Sequence, residues 1–87
     1  MTPTIGRIVH YTLSEYDATS IEQMPGRPNR NPVAAGQTYP AVIVRIFGDN
    51  PGSHVNLQVF LDGDCSYWAT SRKEGTEPGT WAWPARI

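Results

Sequence analysis

Residues 54–62, HVNLQVFLD, alternate without interruption. Val55, Leu57, Val59 and Leu61 fall on one side, and His54, Asn56, Gln58 and Phe60 on the other. A period of two is the period of a strand. A strand that is apolar on one side only belongs to a sheet with one buried and one wet face. A chain of 87 residues has room for one such sheet and one modest core, so 1–87 reads as a single small β domain.

Other segments repeat the signal. GRIVHYTL (6–13) sets Val9, Tyr11 and Leu13 against Ile8, His10 and Thr12. In TYPAVIVRIF (38–47) the centre, Ala41 to Val44, is continuously apolar, which predicts a strand covered on both faces. Pro40 lacks a ladder donor and belongs at that strand's start or on an edge. SYWATS (66–71) opposes Tyr67 and Ala69 to Trp68 and Thr70, and TWAW (80–83) is a short last strand stopped by Pro84. Turn chemistry separates them: GDNPGS (48–53), Asp62-Gly63-Asp64 read as a tight hairpin turn, and the charged loop RKEGTEPG (72–79).

Eight prolines and eight glycines favour short strands over long helices. Five strands, a long loop after the first and a short turn between the third and fourth predict an all-β, SH3-like antiparallel barrel or curled sheet. The rival is an open five-stranded sheet that dimerises through one face. The long loop, 14–37, has no strand period; one helical turn fits around Ile21-Glu22-Gln23, and the remainder reads as a flexible or lid loop.

Charge narrows the partners. Seven Lys and Arg against eight Asp and Glu leave a net charge of −1, without the cationic excess of a duplex-DNA binder. Cys65 is the sole cysteine, so no intrachain disulfide forms, as expected of a reducing compartment. No cationic leader with an apolar run opens the chain, and no apolar stretch is long enough to span a bilayer. These features predict a cytoplasmic protein with no membrane partner.

Catalytic chemistry finds little support. His10, His54 and Cys65 lack a recognisable orienting third group. His54, Asp62, Asp64 and Cys65 lack the paired spacing of a structural metal site, and no phosphate-loop motif is present. The expectation is a protein that is not an enzyme, with no metal and no cofactor.

The aromatic residues point to binding. Trp81 and Trp83, at i and i+2, share a strand face. Ile8, Val9, Val42, Ile43, Val44, Ile46, Val55, Leu57, Val59 and Leu61 already supply a core, so three tryptophans and four tyrosines exceed what a small fold needs inside. Trp68, Trp81, Trp83, Tyr67 and Tyr11 are therefore candidate ligand-binding residues. Arg45, with Arg27 and Arg30 of the long loop, could fork a phosphate or carboxylate, and the amides of Asn56 and Gln58 could read a base edge. Of the Trp81–Trp83 pair, one indole is expected to anchor the last strand and the other to border the ligand surface beside Tyr67 or Trp68.

In combination, GRIVHY, AVIVRI, VNLQVFLDG, YWATS and GTWAWP make the chain resemble a group of small proteins encoded in bacteriophage and prophage genomes. The resemblance covers nearly all of the chain except 14–37. It implies a viral accessory or structural protein in the host bacterial cytoplasm and supplies no catalytic residues. In that setting the expected function is a non-catalytic host-defence antagonist that captures a small nucleotide-like signalling ligand, as a homo-oligomer with a pocket between chains. The alternatives are a protein-interaction module, either a virion component or an inhibitor of a host enzyme, and a single-stranded nucleic-acid binder.

Overall fold

The computed structural model describes residues 1–26 and 28–85. Five strands, β1 (Ile8–Thr12), β2 (Thr38–Phe47), β3 (His54–Phe60), β4 (Ser66–Arg72) and β5 (Trp81–Ala82), form one antiparallel sheet in the order β4-β3-β2-β1-β5. Helix α1 (Glu15–Glu22) lies between β1 and β2. The sheet curls about β2, which pairs with β1 through Thr38–Val42 and with β3 through Ala41–Phe47. Pro40 precedes the first β2–β3 pair, so its missing N–H breaks no bond of that ladder.

Curling brings the segment after β4 to β5. The Trp81 N–H donates to the Lys73 carbonyl at 3.2 Å, the Gly75 N–H donates to the Trp81 carbonyl at 2.9 Å, and one parallel bridge joins Glu74 to Trp81. Among the described residues no ladder pairs β4 with β5. The protein is a curled sheet and not a closed barrel.

Val9, Tyr11, Ala41, Ile43, Leu57, Val59, Ala69 and Trp81 fill one face of this sheet and are completely buried. Ile21 of α1 seals them, and Met24 and Val33 of the following loop pack alongside. The continuous apolar run in β2 is thus covered on one face only. Ala41 and Ile43 are buried, Val42 is half-buried and Val44 is exposed, as is Ile8 of β1. Neither Ile8 nor Val44 belongs to the core that composition suggests, because alternation turns both outward.

Two departures concern 14–37. Its helix has eight residues and not one turn, because Ser14 and Asp17 form a reciprocal capping box. Its second part is bound to the β3–β4 loop. Asn31 N–H donates to the Asp62 carbonyl at 2.9 Å and Asp64 N–H to the Asn29 carbonyl at 2.8 Å, about a bridge between Arg30 and Gly63. Asp62-Gly63 is consequently not a tight hairpin turn. The connection runs over residues 61–65, and Gly63 does not take the left-handed conformation. Glycine is required there for another reason: a Cβ would collide with the Asn29 carbonyl oxygen and the Arg30 backbone.

Candidate functional site: the open face of the sheet

The strands that bury one face leave the other uncovered. Ile8, Val42, Gln58 and Trp68 form a row across β1, β2, β3 and β4. Phe60 stands opposite Ser66, diagonal to Trp68, close enough for aromatic rings to meet. At the far end of β3, Phe47 stands opposite His54, and Arg45 opposite Asn56. Ile8, Val44, Phe47, Phe60 and Trp68 each remain between 40 and 60% exposed. A contiguous apolar surface of this kind marks a contact site more often than an accident of folding.

A β-bulge between Ile43 and Arg45 builds one end of the face. The extra residue directs Val44 and Arg45 outward while Ile46 still pairs with Val55 and packs on the core. The Arg45 guanidinium carbon lies 5.4 Å from the centroid of the Phe47 ring, a cation–π stack at the surface. None of the eight carboxylates lies on a strand. They occupy α1 (Glu15, Asp17, Glu22), the β2–β3 turn (Asp49), the β3–β4 loop (Asp62, Asp64) and the segment before β5 (Glu74, Glu77). The ionisable side chains that the strands present outward are Arg45, His10 and His54.

A second bulge, between Val55 and Leu57 on the β3–β4 ladder, adds a residue at Thr70–Ser71. Ser71 adopts φ 55°, and its N–H donates to Asn56 Oδ1 at 2.8 Å. The added residue changes the parity of β4, so Arg72 stands opposite Val55 and points to the core side. There its Nη2 reaches Asp17 Oδ1 at 2.8 Å. Asp17 is completely buried and also accepts from Tyr11 Oη, from Tyr67 Oη at 2.8 Å and from the Ser14 N–H at 2.9 Å. Burial alone would raise its carboxyl. The Ser14 N–H, the two phenols and Arg72 outweigh that and hold it below the usual carboxylate range. The same burial, with Asp17 beside it, pushes Tyr67 up to about 12 and Tyr11 higher still.

The candidate residues divide accordingly. Trp68, Arg45, Asn56 and Gln58 share the open face. The Asn56 oxygen is committed to Ser71, and the Gln58 oxygen accepts from Ser66 Oγ at 3.1 Å, which leaves its NH₂ group outward. Tyr11 and Trp81 are core residues, and Tyr67 turns inward to Asp17, so alternation removes all three from the open face. Trp83 is half-buried, edge-on to Trp81 at 5.3 Å, with the Arg7 guanidinium carbon 5.3 Å from its ring centroid. It packs on the core side with Trp81, whereas Trp68 stands on the open face. Arg30 is held on the opposite side by Glu22 at 3.3 Å and by the Ile21 carbonyl at 3.3 Å. Arg27 lies outside the described residues.

Phe60 joins the site through the plain alternation of 54–60. Phe47 joins through a bulge that leaves no mark in the sequence. Asp17 carries a signal, the Ser-x-x-Asp spacing of a capping box. Arg72 carries none. The concavity at the hairpin end, lined by Phe60, Leu61, Gly63, Asp64, Cys65 and Ser66, is open and shallow, without walls to surround a ligand. Among the described residues no three His, Cys, Asp or Glu side chains gather as a metal site, and no helix is long and apolar enough to cross a membrane. Comparison with family models, curated proteins and solved structures finds no match for this chain.

Proposed function

We propose that this protein is a non-catalytic binding module that receives nucleotide-like ligands, a planar base with its phosphate, on the open face of the sheet. The observation that carries the reading is the joint presence there of exposed rings, the Arg45 cation and the Gln58 NH₂, with no strand carboxylate to repel a phosphate. Aromatic faces stack on any base, and a guanidinium forks a phosphate. The phage-type setting implied by the resemblance fits capture of such a ligand, and assembly into oligomers would deepen an otherwise flat site.

A protein partner is the second reading. Ile8 and Val42 favour it, because aliphatic side chains contribute little to stacking but pack well in protein interfaces. Backbone amide shifts on titration with a dinucleotide at millimolar concentration separate the two. Movement confined to 42–47, 56–60 and 66–70 is the expected result. Shifts absent from those segments, or centred on α1, would overturn the nucleotide reading and leave the protein interface.

A further inference from the structure

We infer that the open face takes a single-stranded nucleic acid laid along β3 rather than one isolated nucleotide, an inference that rests on the nucleotide reading above. The face has two stacking stations. Trp68 and Phe60 form one, at the loop end of the β3–β4 hairpin. Phe47, with Arg45 stacked on its ring, forms the other beside His54. His54 and Phe60 are six residues apart on one strand, which places the stations about 20 Å apart. That separation exceeds what a single base and its phosphate can bridge. Between the stations the Gln58 NH₂ faces outward among small and aliphatic side chains, so nothing charged interrupts the track.

Charge complementarity selects the occupant. A second copy of this chain would bring Arg45 against Arg45, with no strand carboxylate to answer either. A duplex hides its base faces, and its dense phosphates call for more cations than the single Arg45. An unpaired strand presents bases to the rings and few phosphates to the single arginine, which suits a surface rich in stacking and poor in charge.

The test uses the full chain with oligothymidylates of roughly two, four and eight nucleotides, followed through amide shifts and, where Trp68 is retained, tryptophan fluorescence. Affinity should rise about tenfold or more from the shortest to the longest, since each stacked base adds substantially. F47A and W68A should each weaken the longest oligomer about fivefold or more, and each should weaken the dinucleotide less, because a dinucleotide can occupy either station. With at most three cations on the face, the slope of log K against log salt should be no steeper than about −2. Both variants replace exposed side chains, and circular dichroism confirms that each is folded. An eight-mer no tighter than the dinucleotide, or an F47A variant equal to the parent, overturns the strand while the nucleotide reading stands. Equal binding of duplex, or a slope far steeper than −2, overturns stacking on this face. Oligomers and dinucleotide both without effect on the face would overturn the two readings together.

Discussion

Trp68 and Ala69 are neighbours in one strand, yet Trp68 is 60% exposed and Ala69 is completely buried. The same contrast runs across the whole sheet. One face is sealed by α1 and its loop and is tied to them by a buried carboxylate; the other carries large rings that touch few neighbours. Because the same strands supply both, the faces experience the same backbone and differ only in what their side chains meet. Fold stability therefore resides on one side. The aromatic load of the other contributes little to folding and is available for contact.

The contrast breaks most sharply between Trp81 and Trp68. Replacing Trp81 by Ala should cost about 3–5 kcal/mol, as loss of a large core aromatic does. A domain of this length has a total stability of only about 4–13 kcal/mol, so W81A should be largely unfolded or melt far below the parent. Replacing Trp68 by Ala should change stability by about 0.5 kcal/mol or less. Paired thermal melts check this, and equal losses would show that the two faces are not separate.

Asp17 gives the next largest effect. D17N keeps the volume but removes the charge that Arg72, Tyr11, Tyr67 and the Ser14 N–H all address, and it turns a donor toward donors. Loss of one partner from a buried, hydrogen-bonded ion pair costs about 2–4 kcal/mol at a site where Arg72 keeps some contact with solvent. The pH profile should follow. Since folding depresses the Asp17 carboxyl, its contribution is complete above the ordinary value of 3.8 and is lost as pH falls through the depressed one. The phenols act at the other extreme. Folding raises them, so their contribution is complete below the ordinary value of 10.0 and declines as pH climbs toward the raised value of about 12 for Tyr67. Urea midpoints measured across pH should show both edges in the parent and lose the acid edge in D17N.

Gly63 probes the seam between the loop and the sheet. G63A should cost about 1–3 kcal/mol, because the backbone of Asn29 and Arg30 must move away from the new methyl. Hydrogen exchange should speed up at Asn31 and Asp64, whose N–H groups cross that seam, and remain unchanged at β2. A variant as stable as the parent, with unchanged exchange, would show that the loop is not held at this point.

Strand positions and the buried side of β3 were legible because alternation depends only on neighbouring residues. The same rule already placed Gln58, Asn56, Phe60 and Trp68 outward. What alternation could not reveal was parity. A bulge shifts every later residue to the opposite face, and the bulges at Val44 and Ser71 arise from pairing with distant strands, not from local composition. Arg72 was therefore hidden, and with it the role of Asp17. The tryptophans misled for a different reason: Trp81 and Trp83 do lie together, edge to face, but both pack on the core, so neither ring joins the open face. Asp-Gly suggested a local turn where the glycine answers to a chain segment more than thirty residues earlier.

The carboxylate lock also has a consequence for the order of folding. Asp17 meets Tyr67 and Arg72 at sequence separations of 50 and 55, whereas its capping contacts with Ser14 span three. The helix cap can close as soon as its few residues are present, but the lock must wait until β4 has found β3 and its bulge has turned Arg72 inward. Contacts of such long reach close late, since the entropy of the intervening chain must be overcome first. The lock consequently acts as a latch on a sheet already assembled: removing it leaves the ascent to the transition state little changed and quickens the descent back to the unfolded chain.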